Sequence, residues 1–141
     1  MLDLIHSVPI SASAKDVYDA IATQKGMQGW WTRDTTLDAR AGGNADFGFV
    51  NRAVVFRMVI DFLEPGKAVQ MSCSGDQSEW AGTRLEWQIE STPDGSVLNF
   101  AHRDWRAMTA YCASCNSTWG ELMYRLKAYV ETKRPNPRWT D

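Results

Sequence analysis

The last third of the sequence contains one long segment with the spacing of an amphipathic helix, and this segment restricts the possible folds most. Between Thr109 and Lys133, apolar residues fall three, four, seven and eleven positions after the first and form one helical stripe: Trp119, Leu122, Met123, Leu126 and Val130. Pro135 and Pro137 then stop the helix, because proline lacks the amide donor. A helix of this kind needs an apolar surface on which to pack, so we expect the rest of the chain to supply one.

The middle of the sequence predicts that surface as a series of strands, because apolar and polar residues alternate there. The clearest strand has Thr83, Leu85, Trp87 and Ile89 opposite charged and polar neighbours. Another strand is predicted from Ala53 to Glu64, with one apolar face made of Val54, Phe56, Met58, Ile60 and Phe62. The strands are separated by short turns, which are predicted at 41–44, 65–66, 74–77 and 92–95.

The N-terminal segment predicts a strand followed by two short helices. Residues 3–10 alternate well enough for a strand, with Leu4, His6, Val8 and Ile10 on one face. A helix is expected over about residues 14–23, with Ser11 or Ser13 as its N-cap. The apolar residues between 27 and 31 suggest a second helical turn.

This order of elements predicts an α+β fold, in which consecutive antiparallel strands are flanked by helices. The predicted architecture is one long C-terminal helix laid across a curved antiparallel sheet, with two short helices after the first strand. We expect a single domain over residues 1–134 and a short C-terminal tail over residues 135–141.

Composition excludes several classes of function. The chain has 141 residues, of which 44% are hydrophobic and 23% charged, as in a soluble globular domain. No apolar run approaches the roughly 20 residues that span a bilayer. The net charge of -2 offers no attraction for nucleic acid or anionic lipid. Three cysteines without a recognisable export signal suggest reduced thiols and a cytoplasmic location.

The seven tryptophans indicate either a heavily aromatic core or an aromatic cavity. Strand and helix patterns place many large side chains toward the interior, where they either line a ligand pocket or fill the core. The candidate ligand-binding residues are Trp31, Phe47, Phe49, Phe56, Met58, Met71, Trp87, Phe100, His102, Trp105, Trp119 and Met123. Among them we expect Trp119 to form part of the cavity wall.

His102 is the candidate residue best suited to bind a ligand or to take part in acid–base chemistry. A neutral imidazole in an apolar cavity can bind a ligand or act as a general base. The alternative, which the sequence favours, is a buried histidine satisfied by a backbone carbonyl or a helix residue. Cys112 and Cys115 form a CxxC in the first turns of the long helix, but the βαβ context of a redox motif is missing. No cofactor motif and no set of metal ligands is recognisable.

Gly120 lies inside the predicted long helix, where glycine costs about 1 kcal/mol relative to alanine. Such an unfavourable residue suggests that a strand or a ligand approaches the helix backbone closely at this point.

Several short motifs give the chain a resemblance to a known superfamily. They are Ile10–Ile21, Trp30–Thr32, Gly43–Phe49, Trp80–Leu85, Asp94–Leu98, His102–Trp105 and the closing helix with Trp119, Leu122, Leu126, Tyr129, Val130 and Glu131. Together they resemble the START-like (SRPBCC) superfamily, and most closely the homologues of the C-terminal domain of the heat-shock-protein-ninety ATPase activator. Two features depart from that pattern: Thr118 stands where glycine is usual, and the two helix cysteines are not part of it.

The resemblance implies a helix-grip fold, in which a strongly bent antiparallel sheet surrounds the C-terminal helix and leaves a cavity between them. It also implies binding of a small hydrophobic or aromatic molecule in that cavity. The alternatives are a co-chaperone-like, stress-related domain that binds a chaperone, or a cyclase or hydrolase with His102 as base; we expect a binding protein rather than an enzyme. Nucleic-acid binding and membrane insertion are not expected, and a dimer is one option for the oligomeric state.

Overall fold

The computed structural model describes residues 1–75 and 78–141. The strands are β1 (Leu2–Ile10), β2 (Thr35–Leu37), β3 (Asn44–Phe49), β4 (Val54–Glu64), β5 (Ala68–Cys73), β6 (Arg84–Thr92) and β7 (Gly95–Trp105). The α-helices are α1 (Ala14–Ala22), α2 (Gln24–Trp30) and α3 (Ala110–Thr132), and Ser78–Trp80 forms one 3₁₀ turn. Part of the turn predicted at 74–77 lies outside the described residues.

The strands form one antiparallel sheet in the order β1-β7-β6-β5-β4-β3-β2. Strands β2 to β7 pair with their neighbours in sequence, and β1 joins the sheet beside β7. The hairpin between β6 and β7 confirms the turn predicted at 92–95, since Thr92 pairs with Gly95. A side chain on Gly95 would overlap the carbonyl oxygen of Ile10, and its φ of 152° also suits only glycine.

Strand β4 departs from the predicted alternation near its end. The pairing of β4 with β5 shifts register between Ile60 and Phe62, as at a β-bulge. Phe62 is consequently 44% exposed, and Leu63 packs partly against the core instead. The prediction that Phe62 shares the apolar face of Phe56 and Met58 is therefore wrong, because one inserted residue reverses the faces of the strand that follows.

Helix α3 forms as predicted, and its five-residue apolar stripe is buried. Thr109 caps the N-terminus by accepting a hydrogen bond from the Cys112 amide at 3.1 Å. Lys133 ends the helix in the left-handed conformation (φ 63°), and its amide donates to the Tyr129 carbonyl at 2.8 Å. The stripe packs into the same core as the inner face of the curved sheet, which is the predicted α+β arrangement.

Helices α1 and α2 pack at one end of α3. Ser13 is the N-cap of α1 and accepts from the Asp16 amide at 3.2 Å, which confirms one of the two predicted caps. The Trp30 indole donates to the Ala20 carbonyl at 2.9 Å and ties α2 to α1. Gly26 allows that close packing, because a side chain there would overlap the backbone of α1.

Candidate ligand-binding cleft

An open cleft of about 270 Å³ lies between the first half of α3 and the β3–β4 hairpin. The cleft is lined by Trp31, Phe49, Val50, Val54, Phe56, Trp80, Tyr111, Ser114, Cys115, Thr118, Trp119, Leu122 and Trp139. Seven of these thirteen residues are aromatic, and none carries a charge. The volume is slightly below the usual range for small-molecule sites, roughly 300 to 1,000 Å³. Other depressions described on the surface include charged residues in their walls, such as Glu121 and Arg125 or Asp16 and Lys25.

Stacked rings give the inner surface of the cleft its shape. Phe56 and Trp80 stack face to face, with ring centroids 3.9 Å apart and an interplanar angle of 5°. Trp31 stacks on Phe47 at 4.2 Å and contacts Trp119 at 5.1 Å. All five side chains are buried. Their flat faces are held by core packing, so this part of the cleft is formed before any ligand arrives.

Helix periodicity explains the contribution of α3. Tyr111, Ser114, Cys115 and Thr118 recur every three or four residues and form a second stripe, which meets the buried stripe at Trp119 and Leu122. This stripe is mixed in polarity and faces the cleft rather than the sheet.

The connection between β3 and β4 forms the opposite wall. Val50, Asn51 and Arg52 all have left-handed φ values, of 52°, 53° and 65°. Arg52 Nη1 donates to both carboxylate oxygens of Asp34 at 2.8 Å, and the Ala53 amide donates to the Val50 carbonyl at 3.0 Å. This unusual turn directs Val50 to the cleft, although a β-branched residue strongly disfavours the conformation.

His102 lies behind the cleft and is completely buried. Its Nδ1 accepts a hydrogen bond from Trp119 Nε1 at 3.1 Å, so the ring proton is on Nε2, which lies 2.8 Å from Thr83 Oγ1. The Thr83 hydroxyl in turn donates to the Trp80 carbonyl at 2.6 Å. Burial lowers the pKa of His102 to about 3, so the imidazole is neutral. This geometry agrees with the favoured interpretation of a histidine satisfied by a helix residue.

The CxxC motif is divided between core and cleft. Cys112 is buried, whereas Cys115 is half-buried and lines the cleft. Burial raises the pKa of both thiols. Hydrogen bonding by Trp80 and Tyr111 opposes this effect at Cys115, but burial has the larger influence on its pKa. Both cysteines are protonated thiols near neutral pH, which does not favour a redox role.

Of the twelve candidate residues, Trp31, Phe49, Phe56 and Trp119 line the cleft. The other eight are buried in the core outside its lining: Phe47, Met58, Met71, Trp87, Phe100, His102, Trp105 and Met123. Sequence patterns missed nine lining residues: Val50, Val54, Trp80, Tyr111, Ser114, Cys115, Thr118, Leu122 and Trp139. Tyr111, Ser114, Cys115 and Thr118 could have been predicted from their helical spacing on α3. No local sequence pattern marks Val50 or Trp139.

Two other kinds of functional feature are absent from the described part of the chain. None of its helices is long and apolar enough to cross a membrane. No three histidine, cysteine, aspartate or glutamate side chains within residues 1–75 and 78–141 lie close enough together to hold a metal ion.

A seven-stranded antiparallel sheet curved around a C-terminal helix, with a cleft beside that helix, defines a helix-grip protein of the START-like class. Within that class the chain belongs to the family described as activator of Hsp90 ATPase homolog 1-like protein, which matches residues 11–131. The resemblance seen in the sequence is thus confirmed.

Solved structures show the same fold. The Aha1 dimer from Colwellia psychrerythraea is similar at 28% identity and a TM-score of 0.85, covering 93% of this chain and 97% of that one. A protein from Staphylococcus saprophyticus has 14% identity and a TM-score of 0.80, covering 99% and 98%. The AHSA1-like protein from Aeromonas hydrophila has 15% identity and a TM-score of 0.75, covering 94% of both chains. The last two show the fold alone. No curated protein matches the sequence.

Proposed function

We propose that the protein binds a small, uncharged aromatic molecule in the cleft between α3 and the β3–β4 hairpin. The observation that supports this proposal best is the composition of the lining, with seven aromatic residues and no charged one in a space of about 270 Å³. Sites of this kind are concave and mostly apolar, with a few polar groups for orientation. Ser114, Cys115 and Thr118 place polar groups in the lining.

The flat inner surface favours an aromatic ligand over an alkyl chain. Phe56 and Trp80 are held parallel, and Trp31 and Trp119 are buried beside them. A planar ring system can stack on such rigid faces or meet their edges, which contributes about 0.5–1.5 kcal/mol beyond area burial for each good aromatic pair.

The absence of charge favours a neutral ligand. An ionised group placed in the cleft would lose water without gaining an opposite charge, which is costly. We therefore expect discrimination against carboxylates that otherwise have the same shape as a neutral ligand.

Tryptophan fluorescence tests this proposal directly, because four of the seven tryptophans line the cleft. Naphthalen-1-ol should quench the emission saturably. Two matched probes separate the contributions: 1-naphthoate adds a charge, and decan-1-ol replaces the rings by an alkyl chain. Both should bind at least tenfold more weakly. Absence of saturable binding by any neutral aromatic probe would contradict the proposal.

Cysteine alkylation locates the site independently. Cys115 lines the cleft, whereas Cys73 does not; both are half-buried, and burial raises the pKa of both. Naphthalen-1-ol should slow the reaction of Cys115 with iodoacetamide and leave that of Cys73 unchanged, as measured by peptide mass spectrometry. Equal protection of the two cysteines would mean that the probe does not occupy the cleft.

A second candidate is a co-chaperone-like domain that binds another protein, and two observations favour it. The family description names an activator of the Hsp90 ATPase, and the Colwellia relative is an Aha1 protein that forms a dimer. In addition, Val50, Val54 and Tyr111 at the edge of the cleft are all more than a third exposed. Stimulation of the ATPase of a ninety-kilodalton chaperone, abolished by Val54→Glu, would favour this function; sedimentation velocity tests for a dimer.

An enzymatic role for His102 has less support. The ring is buried, both nitrogens are hydrogen-bonded, and it does not line the cleft. A His102→Gln variant that keeps full turnover of any substrate found would remove His102 from the chemistry. The three free cysteines are in keeping with the cytoplasm as the proposed location.

A further inference from the structure

The chain beyond α3 folds back and becomes part of the cleft. Backbone hydrogen bonds attach it to the end of α2 and the residues that follow: Asn136 N to Gly29 O at 2.9 Å, Trp139 N to Trp31 O at 3.2 Å, and Arg33 N to Trp139 O at 3.0 Å. The last two bonds flank an isolated parallel bridge between Thr32 and Trp139. The Trp139 indole then reaches the cleft and meets the Phe49 ring edge to face at 4.9 Å.

The attachment of this segment, residues 135–141, depends little on buried side chains. Pro137 is buried and Trp139 is half-buried, whereas the remaining side chains of the segment are exposed. Two contacts with the outer face of α3 supplement the backbone bonds: Arg125 Nη1 donates to Asn136 O at 2.9 Å, and Arg138 Nε lies 3.2 Å from a Glu121 carboxylate oxygen. Trp139 packs against the core but stays half-buried, so replacing it removes less buried surface than replacing a fully buried ring would.

Four other aromatic residues of the cleft lining are more deeply buried than Trp139. Trp31, Phe56, Trp80 and Trp119 are all at most 7% exposed, and each packs on several other rings. Moving any of them would open the core, where packing is dense. Trp139 lies outside the family match, which ends at residue 131.

We infer that Trp139 is a specificity-determining residue, which limits the size of the ring system that the cleft accepts. The inference rests on the function proposed above. With the indole present, about 270 Å³ suits a neutral ligand of two fused rings. Without it, the cleft extends toward the part of Phe49 that the indole covers, and a ligand of four fused rings can lie there.

The test uses the full chain and two neutral probes, naphthalen-1-ol and pyren-1-ol, with affinities from calorimetry. Trp139→Ala should bind pyren-1-ol at least tenfold more tightly than the unchanged protein does, whereas its affinity for naphthalen-1-ol should fall because one ring of the lining is lost. Trp139→Leu keeps an apolar contact with Phe49 and should gain at least threefold for pyren-1-ol. Thr140→Ala, an exposed neighbour that does not line the cleft, should change neither affinity.

The outcomes separate this inference from the proposed function. If the unchanged protein binds naphthalen-1-ol but neither Trp139 variant gains affinity for pyren-1-ol, the inference is overturned and the proposed function stands. If the unchanged protein binds neither probe, the proposed function fails; pyren-1-ol binding by Trp139→Ala would still support the size limit, and its absence would overturn that as well. Thermal melts confirm folding, and Trp139→Leu replaces Trp139→Ala if the latter does not fold.

Discussion

At the residue scale, His102 connects the cleft to the core. Trp119 donates to its Nδ1, and its Nε2 donates to Thr83, whose hydroxyl binds the Trp80 carbonyl. Every polar group in this series has a partner, which is what makes buried polar networks favourable. The network links His102 to two residues of the cleft lining, Trp80 and Trp119, while the imidazole itself does not line the cleft.

The buried imidazole should make stability depend on pH. Burial lowers the pKa of His102 to about 3, against 6.5 in the unfolded chain. Below pH 6.5 the unfolded state binds a proton that the folded state does not, so stability falls as the pH falls. Between pH 6.5 and 4.5 the loss should be about 2–3 kcal/mol. Urea unfolding at pH 6.5, 5.5 and 4.5 measures it.

The matching variant is His102→Gln, since glutamine retains one acceptor and one donor for Trp119 and Thr83. It should be less stable at pH 7 but show a flatter pH dependence in this window. The window ends near pH 4.5 because carboxylates such as Glu121, whose pKa is lowered by its hydrogen bond to Arg125, also contribute below that value. Parallel pH profiles for the two proteins would show that another group is responsible.

Gly120 contradicts the expectation of a close approach to α3. A methyl group added at this position would meet the His6 ring at 3.6 Å, an ordinary van der Waals contact. Gly120→Ala should therefore raise the free energy of unfolding by about 0.5–1 kcal/mol, through better helix propensity. Gly26→Ala in α2 is the contrasting control and should destabilise, because its methyl would overlap the backbone of α1. Denaturant titration measures the free energy of unfolding of both variants. A loss of stability in Gly120→Ala would contradict the prediction.

At the scale of elements, the β3–β4 connection contains a run of unfavourable backbone conformations. Three successive non-glycine residues are left-handed, at roughly 1–2 kcal/mol each. Asparagine tolerates this conformation far better than valine. Val50→Asn should therefore stabilise the protein by about 1 kcal/mol, and the reverse change at the next position, Asn51→Val, should destabilise it by a similar amount. Thermal melts test the pair; equal and opposite shifts are expected, and shifts of the same sign would contradict a left-handed turn.

Elements with a regular period were predictable, whereas irregular ones were not. The α3 stripe and the alternation in β6 follow directly from the geometry of a helix and a strand, and both are confirmed. The bulge in β4 arises from pairing with β5, which single-strand alternation does not contain, so Phe62 was assigned to the wrong face. The turn at Val50–Arg52 contains no glycine, so the sequence does not indicate its left-handed backbone.

At the scale of the whole molecule, the cleft was less predictable than the fold for a related reason. Burial patterns identify side chains that leave water, but they do not distinguish a core residue such as Met58 from a cleft residue such as Phe56 on the same strand. That distinction depends on how far α3 stands from the β3–β4 hairpin and on where the last seven residues fold. Trp139 is nine residues beyond the last residue of the α3 stripe, so no periodic pattern includes it.

Trp119 belongs to both the core and the cleft, and it tests how the two are coupled. The sequence suggested that Trp119 forms part of a cavity wall. The side chain does line the cleft, but it is only 2% exposed, packs on Phe100 at 4.3 Å and donates to His102. Trp119→Ala should therefore cost about 3–5 kcal/mol, as for a core aromatic residue, and should also weaken naphthalen-1-ol binding.

Val54→Ala is the matched control for Trp119→Ala, since Val54 lines the cleft but is 44% exposed. It should change probe affinity while costing less than about 1 kcal/mol, because little buried surface is lost. Urea titration and calorimetry on the two variants give both quantities. If Trp119→Ala left stability unchanged, the indole would not be part of the core; if Val54→Ala destabilised as much as Trp119→Ala, the cleft and the core would form one packing unit rather than two.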